Sequence, residues 1–469
     1  MKHADFAVIG LGVMGLGLAE NLARNGVRVA GFDLDADRRA TLARLGERTD
    51  GITTAATLSD LVATLSVPRQ ILLMVPAGTP VDRAIADLRP LLSAGDCIID
   101  GGNSHFLETE RRHQGLVADK IHFFGMGVSG GEAGARNGPA LMPGGDRAAF
   151  DKMEPILKKV AAKAAEDGEP CVSYIGAKGA GHFVKMVHNG IEYAEMQLLA
   201  EIYYLLTRVY GQPARTIGEI FEGWNQGEDR SYLLGVSAAV LQKDDPETGL
   251  AAVDIILDRA GQKGTGKWTT QTALDLGAGV PSITAALDAR ILSSMTTARS
   301  ALSASFESPP LDPLPLDAEI LTRMRDSLLV GRIIGFAQGL EMMKTASEDH
   351  QFGLDLPAIA RGWRAGCILA SPLLDHIAGA IEGTDDFVHL LALPWFKAQL
   401  EDKLPSLKQM ILAGLAADLP LPVMTASKGY VDSLRQTRLS ANLIQGQRDY
   451  FGAHGFERTD QAGSHHLAW

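Results

Sequence analysis

Across residues 1–178, short apolar runs alternate with stretches whose apolar positions recur every three to four residues. Five runs read as strands: Phe6–Ile9, 28–32, 71–75, Cys97–Asp100 and 122–124. Each is closed by glycine, aspartate or proline. Strands this short and this apolar suit a parallel sheet covered by helices on both faces. Beyond Gly176-Ala-Lys-Gly-Ala-Gly181 the strand signals fade, and long helical patterns take over at 182–210 and 318–347. The pattern predicts an α/β Rossmann-type N-terminal domain over 1–178 and a large all-α domain over 179–434. From 435 it predicts an extended C-terminal tail, polar, glycine-bearing and without periodicity. Ile220-Phe-Glu-Gly223-Trp224 echoes Ile359-Ala-Arg-Gly362-Trp363, each a similar interval after a long helix, which suggests a duplicated helical unit.

Composition narrows the class. With 46% hydrophobic and 21% charged residues over 469 positions, the chain can bury more than one core. A net charge of −12 argues against a nucleic-acid partner, whose phosphates call for a basic face. Cys97, Cys171 and Cys367 have no metal-ligand spacing, so no metal is expected, and a reducing cytoplasm is the natural compartment. No apolar run has the roughly 18–20 residues that cross a bilayer, so no membrane partner is expected. Asp5 and the glycines at 10, 12, 15 and 17 weigh against reading the N-terminus as a secretory signal.

Gly10-Leu11-Gly12-Val13-Met14-Gly15 follows a predicted strand and opens a helix running to about Asn25. The glycines permit a tight turn, close approach of a pyrophosphate and close helix–strand packing, while the helix N-terminus receives the phosphate charge. The second strand ends at Asp33, where an acid accepts hydrogen bonds from an adenosine ribose. Asp33 would repel a 2′-phosphate, and Leu34 and Asp35 beside it bring no cation. NAD is therefore expected over NADP, with Arg38 and Arg39 on the following helix as the nearest positive charges.

The segment Gly181-His-Phe-Val-Lys185-Met-Val-His188-Asn189-Gly-Ile-Glu192-Tyr193 carries candidate chemistry. Spacings of three, four, seven and eight place Lys185, His188, Asn189, Glu192 and Tyr193 on one helix face. A solvated face would be richer in Lys, Glu and Arg and would lack the Gly-Ala-Gly approach. A lysine serving as base needs burial to lower its pKa. Ser129-Gly130-Gly131 offers backbone amides to an anion, and Asp100-Gly-Gly-Asn103-Ser104 lies at another strand end, where open α/β sheets place ligands. Lys263, Arg290, Arg448 and His454 are more distant candidates for an anion clamp.

Together these segments resemble the 6-phosphogluconate dehydrogenases nearly end to end. The match includes Gly138-Pro-Ala-Leu-Met-Pro-Gly-Gly145, 260–268 and Asn442-Leu-Ile-Gln-Gly-Gln-Arg448-Asp-Tyr-Phe-Gly-Ala-His454. The resemblance implies that Lys185 is general base on a 3-hydroxyl and that Glu192 protonates C1 after loss of carbon dioxide, giving ribulose 5-phosphate. It implies that Asn103, Ser129, Gly130, Gly131, His188 and Asn189 hold the sugar acid. Tyr193, Lys263, Arg290, Arg448 and His454 would hold its phosphate, the last two supplied by the other subunit of a homodimer.

Gly10–Gly15, Asp33–Asp35, Val75, Pro76, Ala77 and Asn103 would hold the cofactor. Where the family carries Asn-Arg-Thr, this chain has Asp33-Leu34-Asp35, and where it carries Val-Lys-Ala-Gly, this chain has Val75-Pro76-Ala77-Gly78. Both departures remove cations and favour NAD. Glu228-Asp-Arg230 and 293–316 also differ, with no functional account. Two alternatives share the N-terminal features: a shorter β-hydroxyacid dehydrogenase of the 3-hydroxyisobutyrate type, which leaves Arg448–His454 unexplained, and a non-catalytic dinucleotide sensor, which leaves Lys185 and Glu192 without purpose.

Overall fold

The computed structural model describes residues 3–262, 264–306, 312–384 and 387–469. Its N-terminal part runs β1 Phe6–Ile9, α1 Val13–Arg24, β2 Val29–Phe32, α2 Ala36–Gly46, β3 Ile52–Thr54, α3 Leu58–Thr64 and β4 Gln70–Leu73. It continues with α4 Thr79–Leu88, β5 Cys97–Asp100, α5 Phe106–Leu116, β6 His122–Val128, α6 Gly131–Asn137, β7 Leu141–Gly145 and α7 Arg147–Val160. The strands form one sheet in the order β3-β2-β1-β4-β5-β6-β7, parallel except for β7, which runs antiparallel to β6. Strand order reverses between β1 and β4, and that switch point is where an open α/β sheet leaves a ligand crevice.

The all-buried residues of β1, β2, β4 and β5 explain why their apolar runs were legible. Two strand ends differ from expectation. The fourth stops at Leu73, two residues before Val75, because the chain turns through Pro76 towards α4. The strand expected at 122–124 continues to Val128, its glycines being places of close contact rather than a stop.

The helical part begins with α8 Ala180–Arg208, followed by α9 Ala214–Trp224, α10 Tyr232–Gln242, α11 Ala252–Ile255, α12 Thr265–Asp275, α13 Pro281–Ser293 and α14 Thr296–Ser305. A second long helix, α15 Ala318–Asp349, leads to α16 Leu356–Gly362, α17 Leu373–Glu382, α18 Pro394–Ala416 and α19 Pro422–Leu434. The sequence echo is therefore also an echo of packing. Each long helix is followed by a packed pair (α9 with α10, α16 with α17), then by a helix lying along it (α12 on α8, α18 on α15). The halves join along α8–α15 and α13–α19. Each long helix also ties down the other half: Glu201 of α8 accepts from the Val423 and Met424 amides, and Gln338 of α15 accepts from the Ser282 amide.

The tail is more regular than its composition suggests, since residues 441–452 form α20 (Ala441–Gly452), followed by the short hairpin of β8 Phe456–Glu457 and β9 Ser464–His465. Its periodicity is weak because α20 buries only Asp449. That carboxylate accepts from the amides of Gly455 (3.0 Å) and Leu467 (3.1 Å), from His466 Nδ1 (2.8 Å) and from Trp469 Nε1 (2.9 Å). Burial alone would raise the Asp449 pKa, but these donors hold it down at about 2.

Candidate active site

Backbone geometry builds the crevice at the sheet switch point. Gly10 has φ +92°, and a Cβ there would stand 2.5 Å from the Met74 carbonyl oxygen; one at Gly15 would stand 1.8 Å from that of Gly10. Gly12, by contrast, is uncrowded, a Cβ there meeting only Arg38 Nη1 at 3.8 Å, and α1 starts from it without a side-chain cap, whereas Asp35, Thr57 and Asp146 cap α2, α3 and α7. This is a cradle for a phosphate at a helix N-terminus, and it fits a dinucleotide. Val13 is exposed and Met14 half-buried at its mouth, and Val75, Pro76, Ala77 and Asn103 follow the ends of β4 and β5 on the same side of the sheet.

Asp33 accepts from the Leu11 amide (2.7 Å) and the Asp35 amide (2.9 Å). Burial pushes its carboxyl upward, but these bonds and Arg38 outweigh burial and keep the pKa below the ordinary value. Leu34 and Asp35 are exposed. Arg38 and Arg39 stand on α2 as expected, yet both fold back: Arg38 Nη1 lies 3.4 Å from Asp33 Oδ2, and Arg39 donates to the Asp33 and Leu34 carbonyls.

The first half of α8 lies on β6 and β7 at glycine contacts. A Cβ on Gly181 would come within 2.4 Å of the Gly125 and Met142 carbonyl oxygens, and one on Gly127 within 2.5 Å of Lys185 Cβ. The helix therefore has no solvated face here, and Lys185 is only 6% exposed. Gly127→Ala is expected to displace Lys185 and lower kcat by about 10²-fold, with cofactor affinity little changed. Steady-state kinetics beside a cofactor titration check this.

The spacing argument places the stripe correctly. Lys185 Nζ lies 3.4 Å from His188 Nδ1, which is 3.0 Å from Asn189 Oδ1 and 3.9 Å from Glu192 Oε2. Ser129 Oγ, from the loop after β6, is 3.3 Å from His188 Nε2. Gly130 and Gly131 in that loop have φ +102° and +60°, and a Cβ on Gly130 would meet the Gly366 carbonyl oxygen at 2.6 Å. Arg290 stacks its guanidinium over the Tyr193 ring at 3.6 Å and donates to the Gly261 carbonyl.

Burial lowers the Lys185 pKa against the opposing pull of Glu192, and burial raises that of Glu192 against Lys185 and Arg290. Burial and the neighbouring Lys185 hold the His188 pKa well below its ordinary value. The stripe thus pairs a lysine pushed towards its free base with a carboxyl pushed towards its acid form, an arrangement suited to moving protons both ways.

Arg448 and His454 stand exposed on the tail, and among the described residues no hydrogen bond or ion pair links them to the stripe. Lys263 lies outside the described residues. Sequence reasoning missed three contacts that cross the fold: Thr265 Oγ1 accepting from Asn189 Nδ2 (2.9 Å), Trp363 edge-on to His188, and Cys367 Sγ 2.8 Å from His188 Nε2. Sequence separation hides all three. Among the described residues, no group of three or more His, Cys, Asp or Glu could hold a metal ion, and no helix is long and apolar enough to cross a membrane.

Comparison with known proteins agrees with this geometry. Residues 5–176 match the model described as the NAD binding domain of 6-phosphogluconate dehydrogenase, and residues 181–469 match that enzyme's C-terminal domain. From Bacillus subtilis, an NAD(+)-dependent decarboxylating 6-phosphogluconate dehydrogenase is 44% identical over 99% of both chains. An NADP(+)-dependent one from the same organism is 43% identical over 100% of both. A Plasmodium falciparum 6-phosphogluconate dehydrogenase, studied in its apo form and in complexes with NADP+ and with 6-phosphogluconate, superposes with a TM-score of 0.95. It is 37% identical and covers 99% of this chain and 100% of its own.

Proposed function

This chain belongs to the 6-phosphogluconate dehydrogenase family, and on that premise we propose that it oxidatively decarboxylates 6-phospho-D-gluconate to D-ribulose 5-phosphate and carbon dioxide, with reduction of NAD(P). The observation that carries this reading is the stripe of buried Lys185 and His188 with half-buried Glu192, seated on β6, two strands from the dinucleotide switch point. The bound nicotinamide supplies the hydride acceptor. Lys185, as free base, removes the proton of the 3-hydroxyl. The resulting β-keto acid loses carbon dioxide while the newly protonated Lys185 supports the enolate oxygen, and Glu192 delivers a proton to C1 of the enediol. Ser129, Gly130, Gly131, Asn103, His188 and Asn189 hold the sugar acid; Tyr193 and Arg290, with Lys263, hold its phosphate.

NAD is the preferred cofactor in this reading. An ionised Asp33 would repel a 2′-phosphate, and Arg38 is already engaged by Asp33 and Asp35. We expect kcat/KM for NAD to exceed that for NADP by at least about tenfold, and the triple replacement Asp33→Asn, Leu34→Arg, Asp35→Thr to reverse the order. A wild-type preference for NADP would refute this assignment.

The active unit is a cytoplasmic homodimer in which each tail completes the partner's phosphate site. Apolar surface supports this: α14 buries none of its residues, Phe306 beside it is 71% exposed, and α20 exposes Leu443, Ile444, Tyr450 and Phe451. Arg448→Ala should raise KM for the phosphorylated substrate by roughly 10–10²-fold, the worth of a charge-assisted hydrogen bond. Mixing Arg448→Ala and Lys185→Ala subunits should restore about a quarter of wild-type activity at low substrate, since half the dimers then hold one intact site. No recovery would place the tail's action within its own subunit.

A further inference from the structure

Among the groups around the stripe that have no part in the scheme above is the Cys367 thiol. Cys367 sits in the loop between α16 and α17, pinned where the Ala140 amide donates to the Gly366 carbonyl (2.8 Å). Gly366 has φ +63°, and a Cβ there would stand 2.4 Å from the Gly138 carbonyl oxygen, so the loop is held close against the α6–β7 connection. The sulfur accepts from the Leu369 amide (3.4 Å) and lies 2.8 Å from His188 Nε2. On the opposite side of the ring, Nδ1 faces Asn189 Oδ1 at 3.0 Å, and the same amide's nitrogen is engaged with Thr265 Oγ1. Asn189 Oδ1 can only accept, so Nδ1 carries the hydrogen and Nε2 the lone pair.

We propose that Cys367 is a positioning residue of this reaction: its thiol donates to His188 Nε2, fixes the imidazole as the Nδ1–H tautomer, and thereby holds Lys185 as the free base. The link to Lys185 is steric and electrostatic. A hydrogen on Nδ1 points into the space that Lys185 Nζ shares at 3.4 Å, where a lone pair is welcome and an ammonium hydrogen is not. Were the tautomer reversed, Nδ1 would accept from an ammonium and favour the wrong form of the base. Ser129 Oγ also reaches Nε2 at 3.3 Å, but that hydroxyl is assigned to the sugar acid, which leaves the thiol as the donor free of substrate duty. Burial pushes the Cys367 pKa up to about 12, so the sulfur keeps its proton.

The groups facing this centre come from every element around it. They are Glu192 and Asn189 on α8, Ser129 after β6, Cys367 and Trp363 after α16, Thr265 on α12 through Asn189, and Arg290 on α13 through Glu192.

The inference rests on the reaction proposed above, and its test separates the two. The pH profile of kcat/KM for 6-phosphogluconate is measured for the wild type, Cys367→Ala and Cys367→Ser. Loss of the donor should move the acid limb of the alanine variant up by about one pH unit, a roughly tenfold loss at the acid end, with the alkaline plateau little changed. The serine variant, which keeps a donor, should return the limb towards the wild-type position. An unmoved limb in the alanine variant overturns the inference, while absence of wild-type turnover strikes the proposed reaction instead. A second measurement needs neither a Cys367 variant nor turnover. In the unmodified protein labelled with ¹⁵N-histidine, His188, assigned by comparison with His188→Asn, should show a protonated Nδ1 and a bare Nε2. The opposite pattern would equally overturn the proposal.

Discussion

Replacing Lys185 with alanine is expected to lower kcat by on the order of 10²–10⁴-fold while leaving affinity for the dinucleotide within about twofold of wild type. The lysine lies over Gly127 and is screened from solvent, and its nitrogen is within reach of His188. Burial lowers its pKa, so free base is available nearer neutrality than an exposed lysine allows. In the wild type, kcat/KM should therefore fall with decreasing pH as this group takes up a proton, and the alanine variant should lose that limb along with most of its rate. His188 keeps its bond to Asn189 when the lysine is cut away, so the fold should tolerate the change. Steady-state kinetics and a calorimetric cofactor titration on the same preparation decide the matter. A parallel loss of cofactor binding would remove Lys185 from the chemistry.

Glu192→Gln should separate the two halves of the reaction. The amide fills the space of the carboxyl but cannot deliver a proton to C1, so kcat should fall by about 10²-fold. Oxidation and decarboxylation precede that step. A stopped-flow trace should accordingly show a first-turnover burst of reduced cofactor and carbon dioxide, followed by slow turnover. In the wild type, the raised pKa of Glu192 keeps the acid form present at higher pH, and kcat should decline as that proton is finally lost. A variant without a burst, slow from the first turnover, would assign Glu192 to an earlier step.

What the sequence made legible follows the range of the forces involved. The buried strands and the α8 stripe depend on neighbours within a few residues, and spacing alone locates them. Strand β3 escaped because it lies at the sheet edge with Thr53 and Thr54 exposed, leaving no apolar run to see. Strand β7 escaped because Pro143, Gly144 and Gly145 read as a turn, although a Cβ on Gly144 would collide with Gly181 at 2.2 Å. Helix α20 is organised by one buried carboxylate rather than by an apolar face, which periodicity does not detect. Cys367 reaches His188 across 179 positions of sequence, and only the folded chain brings them together.

The most direct measurement is the product balance of one reaction: wild-type protein, 6-phosphogluconate and NAD, with reduced cofactor, carbon dioxide and ribulose 5-phosphate each quantified. The account predicts equal amounts of all three. Reduced cofactor without carbon dioxide, as a simple β-hydroxyacid dehydrogenase would give, contradicts it.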